Sequence, residues 1–172
     1  MIYELVVPQF TKMLGNLVAI LDAAEKFAAE KKFETTVLLQ SRLSPDQFTL
    51  MQQIQTACDT AKLGAARLAG VEKDAPKHDD KEQTLAEAKA RLQSVIAYLK
   101  TFTPESFAKA AEHRISQPRW NGKTLSGQEF LIQHVIPNFY FHITTAYAIL
   151  RHNGVGIGKR NYLGDMPYRE PA

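Results

Sequence analysis

The chain contains a single cysteine, Cys58, and a single tryptophan, Trp120, in 172 residues. Without a second thiol it forms no internal disulfide, so nothing in the fold calls for an oxidising compartment, and the cytoplasm is the expected location. It lacks any run of about 18 consecutive apolar residues, which excludes an ordinary uniformly apolar membrane span. Its N-terminus carries Glu4 where a signal peptide has a basic region, so no cleaved leader and no membrane partner are expected. It also lacks a dominant sign of charge: 21 Lys and Arg stand against 18 Asp and Glu, for a net charge of +3, and the basic residues are scattered among acids. So diffuse a footprint predicts no nucleic-acid partner. The local patterns of common chemistries are missing too, with no G-x-S-x-G, H-E-x-x-H, C-x-x-C or paired-carboxylate constellation. No histidine precedes His78.

What remains is an ordinary globular composition, 45% hydrophobic and 23% charged, in a chain sized for one domain spanning residues 1–172. Phe10, Leu14, Leu17, Leu21, Ala24 and Ala28 recur at helical spacing and predict a first helix from about Pro8 to Lys31. A connector with a short helical turn follows over 33–42. Ser44, Pro45, Asp46 and Gln47 form a start signal for a second helix, whose inward positions are Leu50, Met51, Ile54, Ala57, Cys58, Ala61, Ala65 and Leu68, with Gly70 as its stop. The charged stretch VEKDAPKHDDK predicts a solvated loop, and Leu85, Ala88, Leu92, Val95, Ile96 and Leu99 define a third helix from about Lys81 to Lys100. Thr103 and Pro104 open a short extra helix anchored by Phe107. Asn121-Gly122 marks a small β-hairpin, and Ser126 with Glu129 caps a fourth helix that Pro137 should kink or interrupt. After Gly154 the glycine- and proline-rich tail, 155–172, is expected to be irregular yet to pack through Ile157, Tyr162, Leu163 and Tyr168. The predicted fold is all-α: a four-helix bundle with a short extra helix and a small hairpin before the last helix.

The segment PNFYFHITTAYAILRHNG, residues 137–154, is the most informative. On a helical projection Val135, Phe139, Ile143, Ala146, Ile149 and Leu150 share one sector, and His142 lies within it. A titratable ring facing a core needs a partner, so His142 is read as a hydrogen-bonded core histidine, with a base or ligand in a central pocket as the alternative. Asn138 either satisfies the carbonyl freed by Pro137 or positions a ligand. His134, Asn138 and His142 stand at i, i+4, i+8, but His134 projects away from the apolar sector and Pro137 interrupts the set, so they are not expected to act together. Cys58 falls on an inward stripe, where a thiol is ordinary packing. Asp59 and Lys62 form either an exposed helical pair or the start of a polar network to the last helix. The candidate pocket is therefore Asn138, His142, Cys58 and Asp59. Trp120, Tyr140, Tyr147 and Tyr162 fit core, a pocket or a dimer seam. GVGIGKR follows a helix rather than linking a strand to one, so it reads as a helix exit and not a phosphate loop.

FYFHITTAYAILRHNG resembles the last helix of the DinB/YfiT-like superfamily. With VLLQSRLSPDQF and IQTACDTAKLGAARLAGVE, nearly the whole chain is similar to an uncharacterised bacterial domain-of-unknown-function branch of it. The resemblance implies a DinB-like four-helix bundle, often dimeric, so a homodimer is expected. The wider superfamily typically holds a divalent metal with one histidine on the second helix and an H-x-x-x-H pair on the last. Here the correspondence puts Asn138 at the first position of that pair and His142 at the second, while the second helix has no histidine. The usual triad cannot be assembled, so neither a tightly bound metal nor another cofactor is expected. The function this implies is a ligand-binding or interaction module with a degenerate metal centre and a small-molecule ligand. The alternative is a DinB-type transferase or other metal-dependent enzyme using His142 in a central pocket, with a divalent metal. Catalytic residues stay unassigned.

Overall fold

Four amphipathic helices carry the architecture of the computed structural model, which describes residues 1–170. In chain order the helices are α1 (Ile2–Lys31), α2 (Thr36–Gln40), α3 (Leu50–Ala69), α4 (Leu85–Leu99), α5 (Gly127–Phe130), α6 (Ile136–His152) and α7 (Lys159–Leu163). A two-stranded antiparallel ribbon, β1 (Arg114–Ile115) and β2 (Leu125–Ser126), precedes α5. α3 packs against α4 and α6, and α1 packs against the same two helices from the other side. The alternating threes and fours of the apolar residues give each long helix one buried stripe. In α1 that stripe includes Val6, Phe10, Leu14, Leu17 and Leu21, and Phe10 stacks on Phe139 of α6 with ring centroids 4.1 Å apart. Each such side chain contributes roughly 1.5–3 kcal/mol by leaving water. α1 is long and apolar enough to cross a membrane by length and composition alone. Ten of its residues lie in the core of the bundle.

Several element starts differ from those the sequence predicts, each for a local reason. α1 begins at Ile2, with Pro8 inside it. Burial of Val6 and Val7 offsets the one hydrogen bond that Pro8 removes near an exposed end. α3 is capped by Thr49, whose side chain accepts from the Gln52 amide while the Gln52 side chain accepts from the Thr49 amide. Ser44, the expected cap, closes a turn onto Asp46 instead. Residues 45–48 offer the core nothing, since Phe48 is half-exposed, whereas Leu50 and Met51 are buried. α4 likewise starts at a Thr84–Glu87 capping box rather than at Lys81. The stretch after Thr103 is one 3-10 turn, Pro104–Phe107, seated by buried Phe107. The hairpin is present, but its strands are bridged by a longer loop that includes a 3-10 turn at Pro118–Trp120. Asn121 and Gly122 have φ of 51° and 80°, the left-handed pair that their types permit.

The last helix is compound. α5 is capped by Ser126 and Glu129, as their spacing predicts, and is joined to α6 by one π-helical turn, Leu131–Val135. Pro137 cannot donate to the Gln133 carbonyl and its ring crowds that oxygen, and the wider turn relieves the crowding without breaking the helix. Gly127, at the start of α5, sits so close to the Ala110 carbonyl that a Cβ would overlap it. Gly154 (φ 93°) ends α6. The tail is not uniformly irregular: Val155 and Ile157 enter the core, and α7 lies on α1, where Asn16 donates to the Tyr162 carbonyl at 2.9 Å. Leu163 and Tyr168 are exposed rather than packed.

Candidate functional site

A cleft of about 400 Å³ opens between α3 and the compound last helix. Thr56, Asp59, Thr60, Leu63 and Gly64 form one wall, and His134, Val135, Asn138 and His142 form the other, with Gln117 and Arg119 of the hairpin loop closing one end and Phe48 the opposite one. Gly64 lets the walls converge. A Cβ there would stand 2.7 Å from Val135 Cγ1. Beyond Phe48, Thr56 and Asp59 the cleft meets a polar hollow of about 450 Å³, bordered by Gln55, Asp80 and Glu82.

His142 is buried, and its Nδ1 lies 2.7 Å from Gln53 Oε1. The protonation state follows from the next bond along. Gln53 Nε2 donates to the Phe48 carbonyl, so its Oε1 faces His142 and Nδ1 must donate. Nε2 is then the unprotonated nitrogen, a lone pair with no protein partner on the cleft side of the ring. Burial holds the imidazole below its ordinary pKa and keeps it neutral. Phe48 stacks over it at 6.3 Å, and Phe141 meets its edge at 5.2 Å. One turn earlier, Asn138 Nδ2 donates to Thr60 Oγ1 at 2.8 Å, rather than to the chain around Pro137, leaving the Asn138 carbonyl oxygen available. The same bond leaves the Thr60 hydroxyl proton free.

At the other end His134 Nε2 accepts from Arg119 Nη2 at 2.9 Å and from Gln117. Accepting there requires a neutral ring protonated at Nδ1. Burial, then the charges of Arg119 and Arg67, hold His134 below its ordinary pKa. The ring lies flat on Phe130 at 5.3 Å with Trp120 against its edge at 5.5 Å. The expectation that His134 points away from the site is therefore corrected, since it shares the cleft with Asn138 and His142.

Asp59 lines the cleft but belongs to a second arrangement that the sequence reading missed. It accepts from Lys62 at 2.8 Å and from Arg91 of α4 at 2.9 Å, both nearly inaccessible, at 4% and 1% side-chain exposure. Arg91 also bonds Asp80 and Glu82, and Lys62 donates to His78 Nδ1 at 2.8 Å. Asp59 and Lys62 thus form no exposed pair, and their network runs to α4 and the preceding loop rather than to the last helix. The VEKDAPKHDDK loop is not freely solvated, because His78 and Asp80 pin its end. Burial alone would raise Glu82, yet hydrogen bonds from Gln55, its own backbone and Arg91 hold it below the usual carboxylate range. Arg91 was legible in part: it occupies an inward phase of α4, between Ala88 and Leu92. Cys58 lies outside the cleft, fully buried, and burial pushes its thiol up to about 12. A thiol so far from ionising is packing, not a nucleophile.

The arrangement does not suit a transition metal. Among the described residues no three of His, Cys, Asp and Glu converge. Nδ1 of His142 is committed to Gln53, His134 presents its only lone pair to a guanidinium, and Asn138 offers only a neutral amide oxygen. One free imidazole nitrogen beside an amide and a hydroxyl is a recognition surface rather than a zinc or nickel shell.

The helical bundle, with its cleft between the second long helix and the last, is DinB-like. A solved structure of a DinB family member protein from Shewanella denitrificans matches with a TM-score of 0.97 and 61% identity, over 99% of this chain and 96% of that one. The chain belongs to the family described as domain of unknown function DUF1993, whose model matches residues 2–163. No curated protein matches it.

Proposed function

We propose that this protein binds a small polar organic molecule in the α3–α6 cleft, without a metal centre. The observation that carries this reading is the hydrogen-bond relay from the Phe48 carbonyl through Gln53 to His142. It fixes one tautomer and aims an unsatisfied acceptor at the cleft. Asn138 and Thr60 add an acceptor and a donor beside it, on a partly apolar lining whose volume falls within the usual range for ligand sites. A library of small polar compounds followed by ligand-observed NMR tests it. Hits should be lost in Thr56→Trp, which fills the cleft from its wall, and weakened in His142→Asn, which keeps the bond to Gln53 but removes the Nε2 lone pair. Hits that ignore both substitutions would refute the reading.

A second reading rests on the same lone pair. A neutral imidazole with a free Nε2 is equipped to take a proton from a bound molecule, so an enzyme of transferase or other type with His142 as base is the alternative. In that case His142→Asn would still bind the ligand but no longer consume it.

A further inference from the structure

Five side chains with acidic, basic or titratable groups line the cleft: Asp59, Arg67, Arg119, His134 and His142. Asp59 is matched by Lys62 and Arg91. Arg67 is matched by Glu72, which receives both its Nε and its Nη2, at 2.9 and 2.6 Å. The two histidines are neutral by the hydrogen-bond argument above. Arg119 differs from the rest. Among the described residues no carboxylate lies within ion-pair distance of it, and its one protein partner is the neutral His134 ring. An imidazole acceptor orients a guanidinium without cancelling its charge, so Nε and Nη1 of Arg119 remain free donors at the cleft end. The opposite end presents acceptors instead: Nε2 of His142 and the side-chain oxygen of Asn138.

Resting on the cleft being a ligand site, we infer that its ligand is a small carboxylic acid bearing a hydrogen-bond donor, with the carboxylate on Arg119 and the donor on His142 and Asn138. The charge count points to a monoanion, because one cation is left without a counter-ion. The flat fork of a guanidinium with free donors suits a carboxylate, and a charge-assisted bond of this kind is about twice as strong as a neutral one. His134 acts as a positioning residue, holding Arg119 through Nε2 while its own ring is clamped between Phe130 and Trp120.

Calorimetric titration of the full chain at low salt tests this with two matched pairs of probes, 4-hydroxybenzoate against 4-hydroxybenzamide and 6-hydroxyhexanoate against its amide. At least one acid should bind about tenfold more tightly than its amide, a preference of about 1.4 kcal/mol. Arg119→Gln, at an exposed position, should erase the preference, bringing acid and amide to the same affinity, and Thr56→Trp should abolish both. Acid and amide binding equally, with both lost in Thr56→Trp, would overturn the carboxylate assignment and leave the cleft reading standing. An acid preference that survives Arg119→Gln would also overturn it. No binding by any of the four probes would overturn this inference, and binding indifferent to Thr56→Trp would remove the cleft reading with it.

Discussion

Replacing Arg91 by Met tests whether the buried cationic pair, Arg91 and Lys62, organises one side of the molecule. The guanidinium has 1% exposure and touches three carboxylates and the Gln55 carbonyl. Removing one partner of a buried ion pair costs about 3–5 kcal/mol, mostly through the charges left behind. Here those charges are not equally trapped. Asp80 is 55% exposed and Asp59 34%, so both regain water when Arg91 is lost, while Glu82 at 14% is the one left stranded. The expected cost is therefore at the low end, ~3 kcal/mol, with Met retaining much of the packed volume. For a chain of this size that corresponds to a fall of about 6–12 °C in Tm. Urea unfolding followed by circular dichroism is the suitable assay, since guanidinium chloride would screen the interactions being measured. Glu82→Gln in the Arg91→Met background should then cost little, because the charge it relieves is already unpaired. Trypsin supplies a local readout: cleavage at Lys73, Lys77 or Lys81 should accelerate as the loop loses Arg91. A loss below about 1 kcal/mol with an unchanged cleavage rate would refute the argument and reduce the cluster to surface ion pairing.

Three further outcomes follow from the packing and the titrations. Gly64→Ala should destabilise by roughly 1–2 kcal/mol despite the better helix former, because its Cβ would stand 2.7 Å from a methyl of the buried Val135, and Val135→Ala should rescue it. Gly127→Ala, whose Cβ would overlap the Ala110 carbonyl oxygen, should be far worse, about 4 kcal/mol or failure to fold, as read by soluble yield and melting. His78, His134 and His142 are all held below their ordinary pKa, with burial the leading cause in each. The unfolded chain, with histidines near 6.5, therefore binds more protons in that window, and stability should fall as pH drops from about 7.5 to about 5.5. His142→Asn should flatten that slope, and an unchanged slope would show that His142 titrates normally.

The fold was legible in the sequence because its apolar periodicity is strong in the four long helices and the Ser126–Glu129 cap marks the start of the last of them. Where two caps competed, as at Ser44 and Thr49, only the burial of Leu50 and Met51 decides between them, and burial is a tertiary property. Asn138 entered through the resemblance and Asp59 was left between an exposed pair and a polar network, whereas His142 could be placed inward from its phase alone. Arg91 could not, because an arginine at an inward position is indistinguishable from a misjudged phase until its carboxylates, distant in sequence, are seen around it. His134 was lost for a different reason. A uniform helix puts it roughly 80° from His142, whereas the π turn absorbs about one extra residue and brings the two towards one face. Nothing local announces that turn except Pro137.

The π turn also makes chain length an adjustable parameter inside a regular element. Insertions and deletions are normally confined to loops, because a residue removed from an ordinary helix rotates everything on one side of the cut by about 100° against its packing. Here one residue is already surplus to α-helical winding. Deleting exposed Gln133 would convert the stretch to plain α-helix with α5 and α6 both left seated, so that only the residues of the turn itself, His134 among them, change the way they face. A one-residue change in length at this point would alter the shape of one end of the site without altering any residue that lines the other.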